Sequence, residues 1–339
     1  MQHSLSRDRR RPPGPAAGPS PSLMPGLRSF PGTALLLAVL ILPLLVGCGG
    51  DRPAGSIDFD YDVNWAAIGK RRILFKTDID GDFDLYVADG FANELRRITD
   101  DPHYNKYADP SPDGARVVYS SNRDGGDFDL FVINLDGSGL KQLTANDIED
   151  YSPTWSPDGQ SIAYEANDNF GALFQIFVVD ADGGNKRQIT SDLYHNYAPD
   201  WSPDGGSVAI FSDLDRNFDI YVIDLTTGER RLVANDDTYA HFADYSPDGR
   251  AIAYHSNPRG DWDIYVVAVD GASPPVLLTT GRAEDLEPDW SPDGSQIIFS
   301  SSRDGDPDIW VMNPDGSDPE RLISTRGRDT QPVWIRGAP

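Results

Sequence analysis

Cysteine and basic residues are both scarce in this sequence of 339 residues. The single cysteine cannot form an intrachain disulfide, and it excludes a zinc or iron–sulfur site built from several cysteines. Lys and Arg number 29 against 54 Asp and Glu, which gives a formal net charge of -25. Because nucleic-acid binding needs a basic face, this balance argues against a nucleic-acid partner. Aromatic residues make up 10% of the chain, which is enough to expect a packed core rather than a disordered acidic chain.

Long apolar runs are also missing. The most apolar stretch, residues 34–47, is too short to span a bilayer as a helix and is interrupted by Pro43. It fits the apolar part of a secretory signal, for which Met24 is the better start. We therefore predict a signal segment over residues 1–47, a linker over 48–70 and a folded body over 71–336.

The tetrapeptide that ends at Cys48, Leu-Val-Gly-Cys, resembles the bacterial lipobox. In that motif the cysteine is acylated after cleavage, so the resemblance implies a lipid anchor at Cys48 and a body on the periplasmic or cell-surface side of a membrane. Gly49, rather than Asp, follows the cysteine, and the sorting rule of this class then favours the outer membrane. The alternative is a buried cysteine that follows the apolar run by coincidence.

An internal repeat dominates the rest of the chain. Ser-Pro-Asp-Gly begins at Ser111, Ser156, Ser202, Ser246 and Ser291, at intervals of 45, 46, 44 and 45 residues. Pro, Asp and Gly suit a tight hairpin turn, and short runs of β-branched and aromatic residues flank each copy. Each unit therefore predicts four short strands, called A to D in chain order, and the chain is predicted to be all-β.

The number of units and the closure of the ring follow from the ends of the repeat. A strand-C pattern such as Ile264-Tyr-Val occurs six times, and the first unit lacks its own strand A. Residues 331–335 match strand A but precede no further unit, so they are predicted to complete the first unit. Residues 63–65 are the alternative closing strand. The prediction is a six-bladed β-propeller of four-stranded antiparallel blades, closed by the C-terminal strand.

These repeats resemble the TolB-type propeller, which is marked by a Trp-Ser-Pro-Asp-Gly turn and an Asp-Ile-Tyr-Val strand. Pro110 replaces the aromatic residue before the first turn, and Gln175 replaces one strand-C Asp. The N-terminal α/β domain of TolB has no counterpart in the roughly twenty residues between Cys48 and the first blade. The resemblance therefore implies the propeller, but it does not carry over a role in the Tol-Pal system.

Candidate binding residues fall in the loops between strand D and the next strand A. Within a blade the strands alternate in direction, so these loops share one face with the B-to-C loops. We predict a ligand-binding channel mouth on this face, formed by His103, Tyr107, Tyr151, Tyr194, His195, Tyr197 and His241. Imidazoles from different blades could also converge on a metal, although no histidine pair has the local spacing of metal ligands. The alternative is that these rings only pack the ends of the loops.

The first B-to-C loop is rich in aspartate. Asp78, Asp80, Asp82 and Asp84 are weak candidates for calcium, because several carboxylates must surround one hard cation. They do not follow the EF-hand order, and a solvated hairpin rich in turn-forming Asp is the alternative. An acidic rim would favour a partner with a basic surface.

No catalytic signature is present in the sequence. The first functional hypothesis is a lipid-anchored, non-catalytic module that binds a protein or peptide of the cell envelope. The second is a lyase or hydrolase that acts on envelope or extracellular carbohydrate through the His and Tyr residues of the mouth.

Overall fold

The computed structural model describes residues 61–167, 173–235 and 239–337. The predicted signal segment, Met24, Cys48 and residues 48–60 of the linker lie outside this part. The described residues form 25 strands and one helix, α1 (Trp65–Ile68), whose first turn is capped by the Asn64 side chain at 3.0 Å. None of the helical segments in these ranges is long and apolar enough to cross a membrane.

The strands form six antiparallel sheets, each a blade of the propeller. Blade 6 carries β1 as a fifth strand at its outer edge. From the innermost strand outward, blade 1 contains β25 (Thr330–Ile335), β2 (Arg72–Thr77), β3 (Asp84–Asp89) and β4 (Glu94–Arg97); blade 2 contains β5 (Asn105–Pro110), β6 (Arg116–Ser121), β7 (Asp129–Asn134) and β8 (Lys141–Gln142); blade 3 contains β9 (Asp150–Trp155), β10 (Ser161–Asn167), β11 (Phe174–Asp180) and β12 (Arg187–Gln188); blade 4 contains β13 (Asn196–Trp201), β14 (Ser207–Ser212), β15 (Asp219–Asp224) and β16 (Arg230–Ala234); blade 5 contains β17 (Ala240–Tyr245), β18 (Ala251–Ser256), β19 (Asp263–Ala268) and β20 (Val276–Leu277); and blade 6 contains β21 (Asp285–Trp290), β22 (Ile297–Ser301), β23 (Asp308–Met312), β24 (Glu320–Thr325) and β1 (Tyr61–Val63).

The C-terminal strand closes the ring, as predicted. Strand β25 is the inner strand of blade 1, where Trp334 pairs with Ile73 of β2. The alternative closing segment at residues 63–65 is wrong, because Val63 instead pairs with Ile323 of β24 at the outer edge of blade 6. The inner position is already filled by β25, whereas the outer edge of β24 offers unpaired backbone groups that β1 satisfies.

The Ser-Pro-Asp-Gly segments are hairpin turns between strands A and B, as predicted. In blade 3, the Ser156 hydroxyl lies 2.6 Å from Asp158 and accepts the N–H of Ser161 at 2.9 Å. Gly159 has φ of 68°, a conformation that glycine adopts without a steric penalty. The hydrogen bonds recur in the other four copies, so the repeated tetrapeptide is explained by folding alone.

The hydrophobic core lies between neighbouring blades. One cluster joins Leu74 and Val87 of blade 1 to Val117 and Phe131 of blade 2. Apart from Trp334 of the inner strand β25, the second strands supply the largest fully buried rings, among them Tyr119, which is 0% exposed. Burial of each such side chain contributes roughly 1.5–3 kcal/mol, so the ring is held by packing from blade to blade.

Candidate functional site: the channel mouth

Two groups of loops share one end of the central channel, as the strand directions predicted. The N–H of Asp150, the first residue of β9, donates to the carbonyl of Phe128, which ends the B-to-C loop of the preceding blade, at 2.7 Å. The equivalent bond joins Ala240 to Phe218 at 2.8 Å. We call this end the mouth face, and the end that carries the Ser-Pro-Asp-Gly turns the turn face.

Every inner strand is bulged where it lines the channel. The pairing register with the second strand of the blade shifts at the same place in all six blades. The bulge residue has a positive φ, between 39° and 57°, although none is glycine. These residues are Tyr107, Ser152, Ala198, Phe242, Glu287 and Gln331. Such backbone is uncommon outside glycine and concentrates near functional sites, which directs attention to this level of the channel.

Side chains from neighbouring blades accept the N–H groups of several bulge residues. Glu165 accepts from Ala198, and the Nδ1 atom of His255 accepts from Glu287 at 3.2 Å. Burial raises the pKa of Glu165 to about 7, against the opposing effect of its hydrogen bonds and of Lys106. Burial, and then the neighbouring His241, lower the pKa of His255 well below its usual value. Both groups therefore stabilise bulged backbone.

Two further bulge residues extend this hydrogen-bonded series around the ring. The N–H of Gln331 donates to Glu287 at 2.7 Å, and the N–H of Tyr107 donates to the Gln331 side chain at 2.9 Å. The Ser300 hydroxyl donates to the same Glu287 carboxylate at 3.0 Å. Blades 6, 1 and 2 are thus connected through polar side chains at the level of the bulges.

A belt of four aspartates lies one step deeper in the channel, at Asp109, Asp200, Asp244 and Asp289. Each carboxylate accepts the backbone N–H of an aromatic residue in the next inner strand, at 2.6–2.8 Å. These donors are Trp155, Tyr245, Trp290 and Trp334. The sequence analysis missed this belt, although three of its members directly precede the aromatic residue of the turn motif. A strand places alternate residues on opposite faces, and that rule could have identified them.

The aspartate belt faces a single guanidinium, that of Arg336, which follows the closing strand. Burial raises the pKa of all four carboxyls, to about 6 for Asp109. Repulsion from other belt members raises the pKa of Asp200, Asp244 and Asp289 further. Although burial lowers the pKa of Arg336, the four carboxylates raise it overall. The belt therefore binds protons more tightly than free aspartates do.

Five of the seven predicted mouth residues come together in one network of rings across blades 2 to 5, which we call the aromatic arc. Its neighbouring ring centroids lie 4.6–6.4 Å apart. The predicted members are Tyr107, Tyr151, His195, Tyr197 and His241. The other members are Phe128, Phe174, Phe211, Phe218, Tyr239, Phe242, His255 and Trp262. Three of them, Phe128, Phe174 and Phe218, are phenylalanines that begin or precede strand C.

Side chains inside the aromatic arc are fixed by stacking and by hydrogen bonds. The rings of His195 and Tyr197 stack with centroids 5.2 Å apart, and the Tyr197 hydroxyl lies 2.9 Å from Nδ1 of His195. The N–H of His195 donates to Asp213 at 2.7 Å. Burial lowers the pKa of His241 to about 4, so its imidazole is neutral at pH 7. The arc is therefore a largely preformed surface.

The aromatic arc already holds a cation of the protein itself. The Lys106 ammonium lies 4.1 Å from the ring centre of Phe128, 4.3 Å from that of Tyr151 and 5.0 Å from that of Tyr107. Burial, and then the charge of Lys76, lower the pKa of Lys106. Cation–π contacts of this kind show that the rings present their negative faces to the mouth.

Two aromatic rings meet over the channel axis. Tyr107 belongs to blade 2 and Phe242 to blade 5, three blades away around the ring, yet their centroids are 5.8 Å apart. Both are bulge residues, so the bulges bring the two rings together. The pair is the part of the aromatic arc nearest the aspartate belt, and with the belt residues it lines a small cavity of about 140 Å³.

The remaining two predicted mouth residues stand apart from the aromatic arc. No ring contact joins His103 or Tyr194 to the other candidates in the described ranges. The His103 N–H donates to Asp101 at 3.1 Å. Tyr194 is 38% exposed, and its carbonyl accepts from Gln175 at 2.8 Å. Both lie in the expected loops, but they contribute less to a continuous surface.

The aspartates proposed for calcium have protein partners in most cases. Asp78 forms an ion pair with Arg328 at 2.8 Å, and Asp80 forms one with Arg97 at 2.6 Å. Asp82 is exposed. Asp78 and Asp80 are thus held by different arginines, and Asp84 shares Arg97 with Asp80.

Asp84 differs from these three because it begins strand β3 and is 0% exposed. It accepts from the Thr99 hydroxyl at 2.6 Å, and from Asn105 of blade 2 at 3.3 Å. One blade later, Asp129 accepts from the equivalent threonine, Thr144, at 3.1 Å, which indicates a structural role. Among the described residues no group of three or more His, Cys, Asp or Glu side chains could hold a metal ion, and calcium binding here stays a prediction.

Comparison with known proteins places these features in a family. The family model described as the TolB beta propeller domain matches residues 64–171, 111–212 and 165–337. No curated protein sequence matches the chain.

Solved structures share the fold. TolB from Acinetobacter baumannii is 19% identical with a TM-score of 0.68, and the match covers 78% of this chain and 67% of that one. A structure assigned to TolB from Agrobacterium tumefaciens is 25% identical with a TM-score of 0.63, covering 80% of this chain and 100% of that one. Oligogalacturonate lyase from Vibrio parahaemolyticus is 15% identical with a TM-score of 0.50, covering 72% of this chain and 86% of that one.

Proposed function

Because the chain belongs to the family of TolB beta propeller domains, we propose that it is a non-catalytic module that binds a protein or peptide of the cell envelope at its mouth face. The aromatic arc is the observation that carries this proposal. It joins half-buried rings from four blades into one surface, and Tyr239 at its edge is 52% exposed. Aromatic rings supply much of the binding energy at protein interfaces because they bury a large area at a small entropic cost.

The proposal includes an anchor and a partner charge. Acylation of Cys48 would tether the propeller to a membrane, with the outer membrane favoured by Gly49. The excess of 54 acidic over 29 basic residues supports a partner with a basic surface, whose attraction weakens as salt rises.

A photo-cross-linking residue tests the proposed face in native cells. Placed at Tyr239 on the mouth face, it is expected to give discrete adducts with an envelope protein. Placed at Val276, which is similarly exposed at 59% on the outer strand of blade 5, it is expected to give none. Adding Tyr151→Ala and Tyr197→Ala to the Tyr239 variant should weaken the adducts, because both rings belong to the arc.

Equal adducts from both positions, or adducts that survive loss of the two tyrosines, would reject the mouth face as the docking surface. Release of the protein from membranes by Cys48→Ser is the companion result expected for the anchor. Retention of that variant in the membrane fraction would remove the anchor from the proposal without affecting the face.

The alternative function is a lyase or hydrolase acting on carbohydrate. It would need a base at the mouth, and His241 is the neutral imidazole nearest to that role. Burial lowers the pKa of His241 to about 4, so it is a weak base at neutral pH. Release of cleaved product from trigalacturonate would favour this alternative over the binding module.

A further inference from the structure

A second cavity opens beside the aromatic arc, between blades 6 and 1. It has a volume of about 360 Å³. Blade 1 supplies Lys76, from the end of β2, and Phe83, which precedes β3. Arg328 and Thr330 supply another wall, and strands β21 and β22 of blade 6 supply the rest. The cavity thus lies among the mouth residues, at the point where strand β25 pairs with β2 and closes the propeller.

Lys76 distinguishes this cavity from the rest of an acidic molecule. By strand register its position matches Ser120, Glu165 and His255 in other blades, so a lysine is not required by the fold. Its ammonium lies 4.6 Å from the ring centre of Phe83 and makes no hydrogen bond or ion pair with any residue in the described ranges. Burial lowers its pKa, with Glu287 acting in the opposite direction. A half-buried cation without a direct partner is stabilised when an anion arrives.

Other donors in the same wall are already positioned. Both Nε and Nη2 of Arg328 donate to Asp78, at 2.9 and 2.8 Å, and its guanidinium lies 4.6 Å from the same Phe83 ring. The Thr330 hydroxyl is buried and has no hydrogen-bond partner among the described residues. The cavity therefore combines one unpaired ammonium, a fixed guanidinium and an unused hydroxyl.

The acidic residues of the cavity limit the charge that it can accept. Glu287 is engaged by the N–H of Gln331 and by the Ser300 hydroxyl, and it lies outside ion-pair distance of Lys76. Glu284, also in the wall, is exposed, and its N–H donates to Ser302 at 2.9 Å. With two carboxylates nearby, a singly charged carboxylate suits the cavity better than a multiply charged phosphate.

We propose that the cavity between blades 6 and 1 binds the carboxylate of a peptide ligand, with Lys76 as the charge partner, while the neighbouring side chains of that peptide lie on the aromatic arc. This inference rests on the proposed peptide-binding function and adds to it the direction in which the bound peptide lies. The free chain terminus, or an acidic side chain, would point toward the junction where the ring closes.

The simplest test compares two small probes. N-acetyl-tryptophan carries a carboxylate beside one aromatic side chain, and N-acetyl-tryptophanamide is identical except for that charge. Ligand-observed NMR titration should show the acid binding about tenfold more tightly than the amide, the value of one charge-assisted hydrogen bond. Lys76→Met should remove this preference, and Lys76→Arg should retain most of it.

Lys186→Met is the matched control. Lys186 also lies over aromatic rings, 4.5 Å from Phe177, but it precedes the outer strand β12 of blade 3, away from the mouth. This variant should keep the preference for the acid. Equal affinities for acid and amide, no binding of either probe, or a preference that survives Lys76→Met would each overturn the proposal.

Two outcomes separate this proposal from the function on which it rests. Binding of the amide that depends on Tyr151 and Tyr197 but not on Lys76 would support peptide binding and reject the carboxylate site. Binding of trigalacturonate that depends on Lys76, without binding of the tryptophan acid, would keep a carboxylate site but overturn the peptide as its ligand.

Discussion

The turn face and the mouth face are built from the same six repeats but follow opposite rules. At the turn face, Ser-Pro-Asp-Gly occurs five times with the same hydrogen bonds. At the mouth face, the register-equivalent position of the second strand carries five different residue types in the six blades: Lys76, Ser120, Glu165, Phe211, His255 and Ser300. The residues of the repeat stay the same where they form the hairpin turns. They differ from blade to blade at the mouth, where the hairpin turns do not depend on them. Variation within a regular array therefore indicates where recognition lies.

The largest expected difference between the two faces is in stability. Trp334→Ala removes a ring that is 1% exposed and lies 4.3 Å from the Arg71 guanidinium, near the turn face. We expect a loss of about 3–5 kcal/mol in the free energy of unfolding, measured with urea. Tyr239→Ala at the mouth should change stability by no more than about 0.5 kcal/mol. Similar losses in both variants would show that the two faces do not differ in this way.

The two faces should also respond to pH with opposite sign. Burial raises the pKa of Glu165 to about 7. Its contribution to the free energy of unfolding is therefore complete below the unfolded-state pKa and is lost as pH rises through about 7. Hydrogen bonds from Ser295 and Ser291 lower the pKa of Asp293 on the turn face to about 2, so its contribution is lost only as pH falls toward 2.

Unfolding titrations measure this contrast. Between about pH 5.5 and about pH 8, the free energy of unfolding of the wild type should fall by about 1–2 kcal/mol because of Glu165. The Glu165→Gln variant should lack this part of the pH dependence. Asp293→Asn should leave this range unchanged and alter only the acid limb. A slope that is the same in wild type and Glu165→Gln would refute the assignment.

The smallest expected difference concerns the backbone. Gly159→Ala places a methyl group 3.7 Å from Pro112, where there is room, but it forces alanine into φ of 68°. We expect a cost of about 1 kcal/mol from conformation alone. Ala198→Gly at a bulge, with φ of 39°, should lower the free energy of unfolding by less than about 0.5 kcal/mol. The relief of backbone strain offsets the greater conformational entropy that glycine loses on folding. Equal costs in calorimetry would mean that the bulges are unstrained.

The sequence predicts those parts of the molecule that depend on local pattern. The spacing of the tetrapeptide predicts the blades, and the match of residues 331–335 to strand A predicts the closing strand. Both patterns are short motifs of consecutive residues, so they can be recognised in the sequence alone. The alternation of strand direction predicts that Tyr151, Tyr197 and His241 share one face. No contact across the ring is needed for these inferences.

The parts that the sequence does not predict depend on contacts between blades. Tyr107 and Phe242 are separated by 135 residues and meet only because two bulges point toward one axis. No glycine marks the bulges, so their positive φ leaves no compositional signal. The calcium candidates Asp78 and Asp80 look alike in sequence, and only the fold reveals that different arginines hold them.

The contact between Tyr107 and Phe242 places two aromatic rings from opposite blades across the central channel. The proposed peptide ligand would rest against these two rings at the mouth face. A conformational effect of such a ligand on the turn face would have to pass through small shifts in the packing between neighbouring blades.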